Sequence, residues 1–246
     1  MRKNYEKIYH DVETNHWWFK SRRNYLMDLL KNASKDSKIL DIGCSSGIFL
    51  KDLEKLGFNP NNLFGIDISK KAISNCKKSG LQNTFVMDAQ EINLKEKFDI
   101  IIASDCLEHL QEDEKALQNW KTLLKPNGTM YVFVPAFTSL WSYHDTINQH
   151  FRRYTKNQLK RKLEKQGLKI QKASYWNFLL FLPVYSFRRI SGLFKNKNSG
   201  DSDIQMSNGF INNSLLNLMN LENKLLKHLN FPFGISVFCI VTKKKP

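Results

Sequence analysis

The sequence predicts an α/β fold built on a mostly parallel sheet, and three observations carry that prediction. Strand-like and helix-like patterns alternate from Lys38 to Val134, the order that produces parallel strands joined by right-handed crossovers. The stretch Lys38-Ile39-Leu40-Asp41-Ile42-Gly43-Cys44-Ser45-Ser46-Gly47 drives an apolar strand into a small-residue turn, and a helical pattern opens at Ile48. Asp41, Asp67, Asp88 and Ser104 all fall toward the C-terminal ends of predicted strands, the edge where such sheets bind ligands.

In chain order, the first segment carries Tyr5, Ile8 and Tyr9, then Asn15-His16-Trp17-Trp18-Phe19 with Arg22 and Arg23 just beyond. Trp18, Tyr25, Leu26, Leu29 and Leu30 share a helical spacing, which predicts an amphipathic helix ending near Lys31. One tryptophan of the pair is expected to anchor this helix. Trp18, together with His16, is the candidate for a lid over the substrate entrance, and Arg22 either meets an anionic ligand or solvates the helix.

Strands are expected at residues 38–42, 62–67, 83–87, 98–104 and 128–134, and helices at 47–57, 69–79 and 112–124. Ser69 stands where it would cap the second of these helices. The glycine loop excludes a dinucleotide fingerprint, because Gly43 is followed by Ser45 and Ile48 where G-x-G-x-x-G needs glycines to approach a pyrophosphate. A carboxylate ending the next strand, Asp67, can accept both hydroxyls of a ribose, having two oxygens and no donor.

The loop and Gly65-Ile66-Asp67-Ile68-Ser69 resemble motif I and the following acidic position of class I S-adenosylmethionine-dependent methyltransferases. The resemblance continues through Val86-Met87-Asp88-Ala89, Phe98 to Asp105, Leu107-Glu108-His109-Leu110 and Leu124-Lys125-Pro126-Asn127-Gly128-Thr129, covering residues 37–135 in order. It implies a Rossmann-like, mostly parallel seven-stranded sheet with an antiparallel final strand and helices on both faces. It also implies S-adenosyl-L-methionine as cofactor, held by Asp41, Gly43, Cys44, Gly47, Asp67, Ile68, Asp88, Ala89 and Ser104, with Asp88 near the adenine amino group. Many members carry glycine where Ser45 stands, and serine fits there with a negative φ.

After Pro135 comes Trp141-Ser142-Tyr143-His144-Asp145, then His150-Phe151-Arg152-Arg153-Tyr154-Thr155. Thr155 with Gln158 reads as a capping box for a helix over 156–166. Arg152 and Arg153 beside that helix start would favour an anion, unless they pair with nearby carboxylates. His144, Asp145 and His150 are candidates for proton transfer. Glu108 and His109 form a second acid/base candidate, with Glu108 alternatively serving the cofactor pocket or capping the next helix. Trp18, Arg22, Glu108, Trp141, Arg152, Arg153 and Tyr154 are the expected acceptor contacts.

Past Gly167, residues 168–175 and 235–242 read as two further strands, which the family commonly pairs antiparallel. Residues 177–234 between them form an insertion with an apolar run at 177–185, basic residues at Arg188-Arg189 and Lys195-Asn196-Lys197, a polar stretch to Gln205, and a helical pattern over 215–229. The apolar run is too short to span a bilayer. It either lies at a membrane interface through 177–195 or packs on the domain or a second subunit. The expected organisation is one domain over residues 1–246, with 1–35 as helical extension and lid, 36–176 as cofactor core, 177–234 as insertion and 235–246 as final strand and tail.

Composition sets the outer bounds. The formal charge of +15 could steer the chain to nucleic acid, lipid or phosphorylated ligands, but 30 of its 38 basic residues are lysines dispersed along the sequence. Cys44, Cys76, Cys106 and Cys239 lack any C-x-x-C pairing, which disfavours a zinc knuckle or disulfide framework. The polar start, Met1-Arg2-Lys3-Asn4-Tyr5-Glu6, gives no signal-peptide pattern, and a cytoplasmic protein, peripheral to a membrane at most, is expected. The chemistry requires no metal. The preferred activity is methyl transfer to O or N of a small or lipid-linked anionic metabolite such as a glycan precursor. RNA methylation is the second reading, disfavoured because Ser104-Asp105-Cys106-Leu107 replaces an N-P-P-[YF] motif; a noncatalytic scaffold is the third.

Overall fold

The structure is a computed structural model that describes residues 12–194 and 208–244. Tyr5, Ile8 and Tyr9, the Lys195-Asn196-Lys197 cluster and the polar stretch to Gln205 lie outside the described residues. The strands are β1 (Ile39–Ile42), β2 (Leu63–Asp67), β3 (Thr84–Val86), β4 (Phe98–Ser104), β5 (Leu124–Pro135), β6 (Leu168–Trp176) and β7 (Ser236–Lys243). They form one sheet in the order β3-β2-β1-β4-β5-β7-β6. β7 runs antiparallel to both β5 and β6, and the pairings from β3 through β5 are parallel. Every residue of β1 is buried, as a central parallel strand covered on both faces requires.

The helices are α1 (Trp17–Leu30), α2 (Ile48–Lys55), α3 (Lys70–Lys78), α4 (Asp113–Leu123), α5 (Tyr143–Ile147), α6 (Lys156–Lys165), α7 (Phe181–Phe194) and α8 (Gly209–Leu226). Helix α1 buries Tyr25, Leu26 and Leu30, with the Tyr25 ring edge-on to Phe133 and Phe238, which are a cross-strand pair of β5 and β7. The Ser69 cap accepts a hydrogen bond from the Ala72 amide, and Thr155 and Gln158 form the reciprocal capping box at the start of α6.

Two elements differ from the sequence expectation. Helix α5 falls in a stretch read only as a cluster of polar and aromatic residues; Ser142 and Asp145 form a capping box around this short helix. Helix α8 begins six residues before the periodic apolar pattern, because the Asn208 side chain accepts from the Phe210 amide and caps the first turn.

The insertion is bonded back to the sheet and to α1. Asn212 accepts from the Trp17 amide at 2.8 Å and donates to the Asn15 carbonyl at 3.0 Å. Asn223 accepts from Trp176 Nε1 and donates to the Ser21 carbonyl, both at 2.9 Å. Glu222 accepts from the Asn177 and Leu179 amides, closing the turn after β6. Phe178 stacks on Phe231 with ring centroids 4.8 Å apart. Among the described residues, no helix is long and apolar enough to cross a membrane.

Candidate active site

The turn after β1 is shaped by backbone needs. Gly43 lies at φ 77° and its missing Cβ would stand 3.2 Å from Cys106 Cβ, so a side chain there would press on the turn that follows β4. Gly47, at φ 73°, is the N-cap of α2, and a Cβ on it would meet Leu81 Cδ1 at 2.4 Å. Cys44 is buried, its sulfur where a Cβ on Gly65 would need to be. Gly47 thus serves the packing of loop on sheet, while Cys44 both fills the space beside Gly65 and lines a small pocket next to Asp41.

Ser45 has φ 48°, the left-handed region, not the negative φ expected. Two hydrogen bonds go with this geometry: its amide donates to Asp67 Oδ2 at 3.0 Å and its hydroxyl bonds Glu13 Oε2 at 2.8 Å. Ser45→Gly and Ser45→Ala both remove the hydroxyl and differ only in a Cβ at positive φ. The glycine variant is therefore expected to be more stable by about 1–2 kcal/mol in urea unfolding. Equal stabilities would show that the turn relaxes to negative φ.

Asp67, ending β2, accepts from the amides of Ser45 and Ser69 at 3.0 and 2.8 Å. It borders a cleft of about 1110 Å³ that Gly43, Ile68, Asp88, Ala89, Ser104 and Cys106 also line. Small-molecule sites usually measure ~300–1,000 Å³, so this one has room for a nucleoside-sized ligand and an acceptor. Asp41 borders instead a smaller pocket of about 90 Å³ that continues from the cleft through Gly43, Ser45, Ser104 and Asp105, beneath Glu13 and Arg22. Burial, then the charge of Asp67, raises the Asp41 pKa to about 7. A buried carboxylate that accepts no side-chain hydrogen bond among the described residues suits a cationic ligand group.

The expected acceptor contacts divide sharply. Arg22 borders the small pocket, but its guanidinium is ion-paired with Asp105, donates to Ser236 Oγ at 3.0 Å, and lies over the Trp18 and Trp176 rings. Trp18 packs edge-on against Trp176 at 5.1 Å and lines neither cavity. It is an anchor, and His16 is buried with its ring accepting from the Trp18 amide as the N-cap of α1. The lid expectation for both is corrected accordingly.

Arg153 is buried and forks onto Asp145, Nε to Oδ1 at 2.8 Å and Nη2 to Oδ2 at 3.0 Å, while Nη1 donates to the Ala136 carbonyl. Arg152 pairs with Asp113 and donates to the Gln111 carbonyl. The Tyr154 hydroxyl, also buried, donates to Asp113 at 2.8 Å. These three residues therefore tie the segment after β5 to α4 and to Asp145; none lines the cleft, and the anion-binding expectation gives way to ion pairing. Trp141 is partly exposed away from the cleft, and His144 contacts Asn148 rather than the cavity.

Asp145 is fully buried. Burial alone would raise its pKa, but hydrogen bonds from His150, Arg153 and the Ser142 amide hold it well below the carboxylate range. It is a buried hub, not a group that can touch an acceptor, and it orients His150, whose Nδ1 lies 2.8 Å from Asp145 Oδ1. The His150 ring stands perpendicular to His109 at 4.5 Å, and His109 lines the cleft. Burial, with His150 beside it, lowers the His109 pKa to about 3, so the ring is neutral at ordinary pH. Glu108 caps nothing: α4 begins after Glu112, and the Glu108 carboxyl is fully buried behind His109.

Leu110, Asn148, Gln149 and Phe151 line the cleft together with His109. Sequence reasoning passed over them because their neighbours carried charge; position in the same H-F-R-R-Y segment was the available signal for Phe151.

A family model described as a methyltransferase domain matches residues 15–173. The ubiquinone biosynthesis O-methyltransferase of Colwellia psychrerythraea is 32% identical over 108 residues, 41% of this chain and 43% of that protein. The chain thus spans less than half the length of that relative. Among solved structures, a SAM-dependent methyltransferase from Archaeoglobus fulgidus superposes with a TM-score of 0.60 at 19% identity, covering 96% of this chain and 99% of that one. The N-methyltransferase NodS of Bradyrhizobium japonicum WM9, in complex with S-adenosyl-l-homocysteine, gives 0.57 at 14% identity, covering 96% and 91%. At these identities the structural likenesses establish the fold.

Proposed function

The chain belongs to the methyltransferase domain family, and on that premise we propose that it transfers the methyl group of S-adenosylmethionine to a hydroxyl of a small acceptor with an apolar body. One observation carries the proposal. A single cleft joins the carboxylates Asp67 and Asp88 at one end to the imidazole of His109 and the ring of Phe151 at the other.

The residues fit the cofactor. Asp67, held at the cleft wall by the Ser45 and Ser69 amides, suits ribose hydroxyls, Asp88 suits the adenine amino group, and Asp41 suits the α-ammonium in the small pocket. Ile68 and Ala89 offer apolar walls for the adenine. The cofactor supplies an electrophilic methyl on a sulfonium, so the protein's tasks are alignment of the acceptor and exclusion of water. Neutral His109 accepts a hydrogen bond from the acceptor hydroxyl, with His150 and Asp145 positioned behind it.

Oxygen is preferred over nitrogen because the relatives are named O-methyltransferases. An anionic acceptor loses support, since Arg152 and Arg153 are engaged by Asp113 and Asp145. We infer also that the chain works as one domain, because the Asn212 and Asn223 bonds hold the insertion to α1 and β6.

Labelled methyl transfer to a panel of phenols, aliphatic alcohols, amines, polyprenyl phosphates and sugar phosphates tests the reading. His109→Ala is expected to lower kcat on the best acceptor by ~10²-fold or more with cofactor affinity unchanged. Preference for a sugar or polyprenyl phosphate would restore the anionic class and overturn this one.

Cofactor binding is expected to release protons below pH 7. A cation beside Asp41 lowers its pKa from about 7, so the proton held at pH 6 leaves on association and affinity falls by up to ~tenfold per pH unit below that value. Calorimetry at pH 6 in buffers of different ionisation enthalpy reads the release directly, and Asp41→Asn should abolish it. Buffer-independent heats would remove Asp41 from the ammonium site.

A further inference from the structure

We propose that Glu108, His109 and His150 form a binding site for a first-row divalent transition metal ion, of the zinc, manganese or cobalt type. One donor atom from each lies within 4.8 Å of the other two, close enough for small side-chain adjustments to bring all three to the ~2.0–2.2 Å bond lengths of such ions.

Three features besides proximity point to a ligand. Both Glu108 oxygens are completely buried and meet no hydrogen-bond donor. A buried carboxyl without a partner is costly as an anion and wastes its acceptors as an acid, and a cation between it and two imidazoles satisfies both oxygens. Secondly, His150 carries the support that a ligating histidine usually has: Asp145 engages Nδ1, which fixes the ring orientation and leaves Nε2 as the nitrogen for an ion. Asp145 is itself held by Arg153 and the Ser142 amide, so the ring is set before any ion arrives. Thirdly, the Phe151 amide donates to the Glu108 carbonyl at 2.8 Å, which ties the loop bearing His150 to the turn bearing Glu108 and His109.

Two imidazoles and one carboxylate suit transition metals over calcium or magnesium, which prefer all-oxygen sets. Three protein ligands leave a coordination position open, and His109 places it at the cleft wall. An ion there would lower the pKa of an acceptor hydroxyl bound to it and take over that task from His109. This use rests on the methyl-transfer reading; the ion site does not.

The test uses the full-length, untagged chain, stripped with a chelator and titrated with Co²⁺ in the absence of cofactor. Visible d–d absorption should saturate at one ion per chain and be bleached by Zn²⁺. Glu108→Gln and His109→Ala should each weaken binding by at least roughly tenfold, while His144→Ala, outside the cluster, should not. Thermal unfolding of each metal-free variant accompanies the titrations; if Glu108→Gln fails to fold, His109→Ala at the cleft wall decides. Folded wild-type chain without saturable absorption, or saturation undiminished in the variants, overturns the site. Because cofactor affinity is measured separately by calorimetry, loss of the ion site and failure of the methyltransferase reading give distinct results.

Discussion

Asp67→Ala is expected to weaken S-adenosylmethionine binding by ~100-fold or more. The carboxylate has two functions that the substitution removes together. It accepts from the Ser45 and Ser69 amides and so holds the glycine loop and the start of α3 in register. It also borders the cleft, where a carboxylate can accept from a ribose diol. Hydrogen bonds to a charged group contribute about 1.5–3 kcal/mol each, so two lost bonds to the ligand amount to roughly 3 kcal/mol or more, which is the stated loss. Asp67→Asn keeps one acceptor oxygen and should fall between. Calorimetric titration with S-adenosylmethionine and S-adenosylhomocysteine measures all three proteins. An unchanged Kd in folded Asp67→Ala would mean that the cleft holds its nucleoside elsewhere.

Asp145→Ala is expected to cost about 3–5 kcal/mol of stability, the range for breaking a buried ion pair from one side. Arg153 would be left with its charge buried, and the Ser142 amide and His150 would lose an acceptor. The double variant Asp145→Ala/Arg153→Met removes the stranded charge and should recover part of the loss, with both followed by urea unfolding. Acid has little effect through this pair until it is strong. The folded pKa of Asp145 is depressed, so its contribution is present above the unfolded value near 3.8 and is lost as pH falls through the lower folded value. A single variant as stable as wild type would show that Arg153 finds another partner or reaches water.

The parallel core was legible because its signals are local. Three apolar residues around Asp41 in β1, a glycine turn, and carboxylates at strand ends report backbone geometry that must be written in adjacent residues. The same locality made the caps at Ser69 and Thr155 readable, since a cap bonds an amide three positions on. Asp67 was legible for a similar reason: the family places a carboxylate there, and the fold brings it to the loop amides.

What the sequence could not decide was which charges stay available. Arg152 and Arg153 read as anion ligands because spacing shows a guanidinium near a helix start and says nothing of what faces it across the fold. Asp113 on α4 and Asp145 on α5 reach them only in the folded chain. Ser45 shows the same limit at the scale of one residue: sequence identifies the missing glycine, but the sign of φ depends on Asp67 and Glu13, which hold the loop from 22 and 32 residues away.

Sequence by itself therefore determined the layer architecture and the placing of carboxylates at strand ends, because these follow from periodicity and short-range hydrogen bonding. Tertiary structure alone decided that His150 is oriented by Asp145, that His109 is the imidazole meeting the cleft, and that Glu108 is enclosed behind it. The physical reason is that burial and pairing are properties of the space between elements. Segments separated by some forty residues share that space only after the sheet has assembled.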